Sequence, residues 1–207
     1  MSALGFISGF VDTLGFIALF GLFAAHITGN VVLIAASIVD HRYGIALKLM
    51  AIPTFIVAAI VTRFFIIRRE RQLLDATTPV LLAEAALLAG FMAMALASAP
   101  FDGRESPAAI ATGLLAAAAM GVQNTAARTF LMMQIIVDIV DLLHGHGDLH
   151  AKRERLSKLV PLMLAFGAGA LLGAVGYVVI GFLALVAPIA AAAALGLLGR
   201  PHPAAVA

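Results

Sequence analysis

The sequence predicts an all-α membrane protein with about six transmembrane helices in a single domain spanning residues 1–207. Hydrophobic residues make up 63% of the chain and charged residues only 12%, and the mean hydropathy is +1.08. Soluble domains carry about 25% charged residues, and a short chain needs polar side chains to cover its surface. Residues 159–199 contain no charged side chain. Lipid is therefore the expected solvent, and the bilayer the expected partner.

Two segments, residues 2–39 and 107–142, are long for one straight crossing and short for two. A helix needs about 20 apolar residues to cross the hydrocarbon layer, and both segments carry polar residues in the middle. We expect each to be one crossing helix that is either tilted or broken near its polar residues.

Residues 45–67 form the second predicted crossing. Lys48 and Arg63 lie toward its ends, where long basic side chains can extend to the membrane interface. Pro53 lies inside the segment, and proline removes a helix hydrogen bond. A kink is therefore expected there.

The other crossings are predicted at 79–99, interrupted only by Glu84, and within 159–199. The second of these runs is about twice the length that one helix needs to cross. It is predicted to form two helices joined by a tight turn near Gly176 to Gly181.

Basic residues predict the orientation. With six crossings, the loops at 68–78 and 141–158 and the C-terminus lie on one side. Lys and Arg concentrate on the cytoplasmic side of membrane proteins. The protein is therefore predicted to lie in the inner (plasma) membrane, with both termini and the loop at 141–158 in the cytoplasm. The net charge of +2 has the same origin and does not indicate nucleic-acid binding. The residues on this side are Arg68, Arg69, Arg71, Lys152, Arg153, Arg155, Lys158 and Arg200.

A short repeat divides the chain. "GFVDT" at Gly9 to Thr13 and "GVQNT" at Gly121 to Thr125 share the pattern Gly-x-x-Asp/Asn-Thr. Each opens a long segment followed by two simpler crossings, which gives three-helix halves at 1–99 and 107–200. An odd number of crossings forces the halves into opposite orientations, the inverted-repeat plan of many secondary transporters.

Polar side chains in the predicted crossings are candidate site residues because burying them in lipid is costly. Asp12 and Thr13 lie in the first crossing, and Gln123, Asn124 and Arg128 lie in the fourth. An arginine there needs an anion, so Asp12 and Arg128 are predicted to share a buried charged site. The alternative is that these groups only join helices through hydrogen bonds.

The stretch "AAHITGN" (24–30) adds His26, Thr28 and Asn30 as candidate ligands. Glycine followed by asparagine favours a helix break, so Gly29 and Asn30 are predicted to interrupt the first crossing. Gly21, Ala25 and Gly29 recur every four residues, which also fits a helix face packed closely on a neighbour. Both interpretations stay open.

"GFVDTLGFIALFGLFAAHITGN" and "GVQNTAAR" resemble the two signatures of the YoaK-like family of small bacterial membrane proteins, a family of unknown function. The resemblance covers nearly the whole chain. After the second signature the family often has a Thr-Gly-Asn-like stretch, whereas this chain reads "QIIVDIVDLLHG", with Asp138 and Asp141 as substitutes or as a cytoplasmic helix end. The resemblance marks Gly9, Asp12, His26, Thr28, Gly29, Asn30, Gly121, Gln123, Asn124 and Arg128.

The sequence contains little that indicates a metal site or an enzyme active site. "HGHGDLH" places His144, His146 and His150 in a loop, and His-rich tracts can bind divalent metals, but a flexible solvated loop is the favoured explanation and metal binding the weaker one. The chain has no cysteine, which excludes thiolate sites and disulfides. No catalytic set and no cofactor motif are found, so we expect a non-enzyme without a cofactor.

The first functional hypothesis is a small transporter or permease-like protein with a midplane site for a small solute or ion. Asp12 and His26 would couple a proton or cation, and Arg128 would hold an anionic group of the solute. The second hypothesis is a membrane scaffold or regulatory protein whose basic cytoplasmic loops contact a partner. A homodimer that completes the pathway is also considered.

Overall fold

The computed structural model describes residues 2–40, 44–127 and 149–198, and this part of the chain is helical without strands. The all-α prediction is confirmed. The helices are α1 (Ser2–Ala18), α2 (Ile27–Asp40), α3 (Ile45–Arg71), α4 (Thr77–Ser98), α5 (Pro107–Ala127), α6 (Leu149–Ile180) and α7 (Val186–Leu198), with a short 3-10 helix at Gly181–Leu185 between the last two.

Four helical stretches in the described residues are long and apolar enough to cross a membrane, so the chain is a membrane protein. They are Ile45–Arg71, Thr77–Ser98, Pro107–Thr125 and Leu156–Leu198. The last stretch is divided: α6 ends at Ile180, and Gly181 adopts a φ of +60° at the start of the 3-10 helix. This confirms the predicted turn near Gly181.

The predicted first crossing, residues 2–39, is broken into two helices, which is one of the two forms expected for it. α1 ends at Ala18 and α2 begins at Ile27. Phe20 and Gly21 have φ values of +54° and +80°, a conformation that a continuing right-handed helix does not allow. The predicted position of the break was wrong.

Gly29, expected to form the break with Asn30, instead lies in the first turn of α2, against the ring of Phe23. Gly21 and Ala25 belong to the break itself. The three small residues at 21, 25 and 29 therefore do not form one helix face.

Side chains in the connecting loops cap the N-termini of three helices. The Glu105 carboxylate accepts the backbone N–H of Ile45 at 2.8 Å. Ser106 accepts the N–H of Ala109 at 3.2 Å ahead of Pro107, a favourable first residue. The Asp75 carboxylate accepts the backbone N–H groups of Thr77 and Thr78 at the start of α4. Partial burial raises the pKa of Asp75, but the hydrogen bonds from Thr78 and Thr77 lower it more, so the pKa lies below its usual value.

α1 and α6 pack in parallel with almost no side chain between them. A Cβ added at Gly5 or Gly9 of α1 would meet the backbone of Leu162 or Phe166 in α6, and one added at Gly169 or Gly173 of α6 would meet the backbone of α1. Small residues four apart allow this close approach in membranes. α5 lies in the same way beside α3 and also packs on α4, while α7 packs on α4.

Two sequence predictions need correction. Residues 149–158, predicted to be part of a loop at 141–158, form the start of α6. Lys48, predicted to extend toward the interface, is fully buried. α3 also continues through Pro53 to Arg71. Of the segment 107–142, residues 128–142 lie outside the described residues.

Candidate functional site

Asp12 lies within α1, and its carboxylate holds the residues that lead into α2. Oδ1 accepts the backbone N–H of Ala25 at 2.7 Å, and Oδ2 lies 2.5 Å from Nδ1 of His26. The Asp12 side chain is only 5% exposed. A buried carboxylate is costly in an apolar environment unless donors satisfy it, and here the broken chain supplies them.

Asn30 stabilises the break from the other side. From the first turn of α2, its Oδ1 accepts the N–H of Phe23 at 2.9 Å and its Nδ2 donates to the carbonyl of Phe23 at 2.7 Å. The amide thus satisfies both backbone groups of one residue outside the helices, where unpaired backbone groups would be unfavourable. Asn30 is fully buried.

Lys48 of α3 is the third group at the break. Its Nζ donates to the carbonyl of Phe20 at 2.8 Å and to that of Gly44 at 3.1 Å. Sequence reasoning missed this role because a lysine near a helix end usually extends to water. The sequence contains no signal for it, because the chain reversal at Phe20 that supplies the carbonyl is visible only in the structure.

The two half-helices therefore meet charges of opposite sign. A helix carries partial positive charge at its N-terminus and partial negative charge at its C-terminus. The Asp12 carboxylate lies at the start of α2, and the Lys48 ammonium lies just beyond the end of α1. Both charges favour the broken conformation over one continuous helix.

His26 is the most accessible group of this cluster, with a side chain 55% exposed. A carboxylate can only accept a hydrogen bond, so Nδ1 carries the proton toward Asp12, and Nε2 of a neutral ring is then an acceptor. The ring also makes an edge contact with Phe166 of α6, with centroids 5.2 Å apart. Histidine titrates near neutral pH, so this ring can exchange protons or bind a donor group.

The other predicted site residues are divided. Thr13, next to Asp12, is partly buried, and Thr28 is exposed in the first turn of α2. Gln123 of α5 is buried and donates to the carbonyl of Leu4 in α1 at 2.6 Å, which joins the first and fourth crossings away from Asp12. Asn124 is partly buried.

Arg128 lies outside the described residues. Its pairing with Asp12 stays a prediction, and in the described part of the chain the partners of Asp12 are Ala25 and His26. Asp138, Asp141, His144 and His146 also lie outside that part, as does the side chain of His150. Within residues 2–40, 44–127 and 149–198, no three potential metal ligands come together.

Glu84 was noticed in the sequence only as an interruption of an apolar run. It is fully buried in α4, and neither carboxylate oxygen has a hydrogen-bond partner among the described residues. A charged residue in the middle of a crossing was the available signal.

Residues 1–198 match the family described as "Protein of unknown function (DUF1275)". The chain belongs to the DUF1275 family. This confirms the resemblance to the YoaK-like family drawn from the two signatures, and the match includes all residues of α1, α2 and the break between them. No curated protein and no solved structure matches the chain. The site must therefore be interpreted from its own geometry.

Proposed function

We propose that this DUF1275 protein is a small, non-enzymatic transporter whose solute or ion site lies at the break in its first crossing. The observation that supports the proposal is the buried Asp12 carboxylate, bound to Ala25 and to the accessible imidazole of His26 between two half-helices. Helix breaks at membrane depth occur where backbone is buried in protein or lines a water-filled cavity. Transporters place their binding groups at such breaks.

The chemistry of the break favours a polar ligand that exchanges hydrogen bonds with Asp12 and His26. Lys48 and Asp12 place charges of opposite sign at the two helix ends. A ligand could donate a hydrogen bond to Nε2 of His26, or replace the hydrogen bond between His26 and Asp12. In either case both helix ends keep their compensating charge. Thr28 offers a hydroxyl on the exposed side of the first turn of α2. Arg128 would hold an anionic group of the solute.

The packing of the helices supports an inverted repeat of the halves 1–99 and 107–200. Gly9 of α1 packs against Ala170 of α6, and Gly121 of α5 packs against Ala58 of α3. Gly9 and Gly121 are 112 residues apart, and so are Ala58 and Ala170. The first helix of each half thus lies on the second helix of the other, as two-fold related halves require.

The charge pattern of the sequence supports placement in the inner membrane with both termini in the cytoplasm. The proposal also allows a homodimer, in which a second copy of this short chain of 207 residues would complete the pathway.

A membrane scaffold is the second candidate, and the exposed end of α3 favours it. A cavity of about 510 Å³ is lined there by Phe64, Ile67, Arg68, Arg71 and Gln72. Basic side chains beside apolar ones at the end of a crossing fit anionic lipid headgroups or an acidic partner. This surface is separate from the break, so substitutions distinguish the two functions.

The test is uptake of radiolabelled amino acids, organic acids, sugars and inorganic ions into proteoliposomes. We expect the wild type to accumulate one class, Asp12→Asn to lose at least about tenfold in rate, and Asp102→Asn, in an exposed loop, to retain it. Full uptake by correctly folded Asp12→Asn would contradict the proposed site. The scaffold would be favoured by two results together. The wild type would take up no solute of any class, and it would bind anionic vesicles, whereas the Arg68→Gln/Arg71→Gln variant would not.

A further inference from the structure

Glu84 is a buried acid that the broken first crossing does not use. It lies about 10 Å into α4, counted at about 1.5 Å per residue from Thr77. Its relative exposure is 0%, and neither Oε1 nor Oε2 has a hydrogen-bond partner among the described residues. Buried polar groups without partners are rare and require an explanation.

The described elements that pack on α4 offer no compensating charge. They are α5, α7 and the 3-10 helix at Gly181–Leu185. These three contain no Asp, Glu, Lys, Arg or His, and Glu84 is the only such residue in α4. An isolated carboxylate in this environment would be strongly unfavourable, whereas a neutral carboxylic acid costs far less to bury.

We propose that Glu84 is a proton-binding site that couples proton movement to the conformational cycle of the protein. In the packed state its side chain is a neutral acid. When α4 separates from α5 or α7 and water enters, the acid releases its proton to a water molecule and becomes a carboxylate. It accepts a proton from water again before the helices close, so one proton is bound and one is released in each cycle.

The location of α4 gives this site its coupling role. α4 belongs to the first half of the chain, while α5 and α7 belong to the second, so Glu84 lies where the halves contact each other. Movement of one half against the other is how inverted-repeat transporters expose a site to alternate sides. The coupling role rests on the proposed transport function; the proton site itself does not.

Infrared spectroscopy tests the proton site without any solute. The chain contains four glutamates, Glu70, Glu84, Glu105 and Glu154, so ¹³C-carboxyl-labelled glutamate identifies their bands against aspartate. In bilayers at pH 7 we expect a labelled carboxylic acid C=O band in the wild type and in Glu70→Gln, an exposed control. The band should be absent in Glu84→Gln. Its absence from folded wild-type protein would overturn the proposal.

Proton flux then tests coupling, with a pH-sensitive dye inside proteoliposomes and the solute class identified by uptake as the probe. We expect the wild type to move protons when solute is added, and Glu84→Gln to lose this flux while retaining solute exchange. Solute uptake without proton flux in the wild type would overturn coupling and leave the transport function standing. No uptake of any solute would end both, and the infrared band would still decide whether Glu84 holds a proton.

Discussion

Replacing Gly169 with alanine tests the close packing of α1 on α6, which holds the helix that carries Asp12. A Cβ at position 169 would overlap the carbonyl oxygen of Phe6, a backbone atom that moves only if the helices separate. Overpacking of this kind typically costs about 1–3 kcal/mol. At Gly167, two residues earlier in the same helix, no described residue of another element comes within 4 Å of the equivalent position, and alanine there gains up to about 1 kcal/mol of helix propensity.

The two alanine variants are therefore expected to change stability in opposite directions and to differ by about 2–4 kcal/mol. Unfolding by a denaturing detergent, monitored by far-ultraviolet circular dichroism in mixed micelles, measures the difference directly. A Gly169→Ala variant as stable as Gly167→Ala would show that α1 and α6 are not in backbone contact.

Three further substitutions are assessed with the same unfolding assay. Lys48→Met should destabilise the fold by about 1–3 kcal/mol, because the Phe20 carbonyl loses a charged donor; unchanged stability would contradict its role at the break. Asn30→Ala should cost a similar amount of about 1–3 kcal/mol by leaving both backbone groups of Phe23 unpaired, and an effect below about 0.5 kcal/mol would be inconsistent with that. Glu84→Leu should raise stability by about 1–3 kcal/mol by removing an unpartnered buried carboxyl, while a large loss would show that the acid has a structural partner.

The four helical stretches long and apolar enough to cross a membrane were predictable because length and hydropathy are read directly from the sequence. The division of 159–199 followed from length alone, and its turn lies at Gly181 as expected. The broken first crossing was predictable as one of two possibilities because polar residues interrupt an apolar run that is too long.

The position of the break was not predictable from local sequence. Gly29 and Asn30 are helix-breaking residues, but Asn30 pairs with Phe23 and both remain in α2. The break lies earlier because Asp12 and Lys48, from α1 and α3, supply hydrogen-bond partners to residues 20–26. Such tertiary contacts have no signature in the spacing of one segment.

The burial of Lys48 was also not predictable, and that of Glu84 was indicated only by its position within a predicted crossing. Lys48 and Glu84 each stand alone among apolar residues, and the sequence pattern does not distinguish a side chain that reaches the interface from one held inside. Both are fully buried. Which one has partners depends on the neighbouring helices: Lys48 donates to backbone carbonyls, while the described parts of α5 and α7 contain no charged residue to pair with Glu84.

The most direct test of the central claim is whether water reaches the break in the first crossing. The chain has no cysteine, so single-cysteine variants can be labelled without background, using a membrane-impermeant thiol reagent on proteoliposomes. The controls are Val57→Cys, at an apolar position in the middle of α3 that is 58% exposed, and Glu70→Cys, exposed at the end of α3. We expect Thr28→Cys, at the start of α2, to react at a rate close to that of Glu70→Cys. A Thr28→Cys variant as unreactive as Val57→Cys would contradict the account, because the break would then be sealed from any aqueous solute.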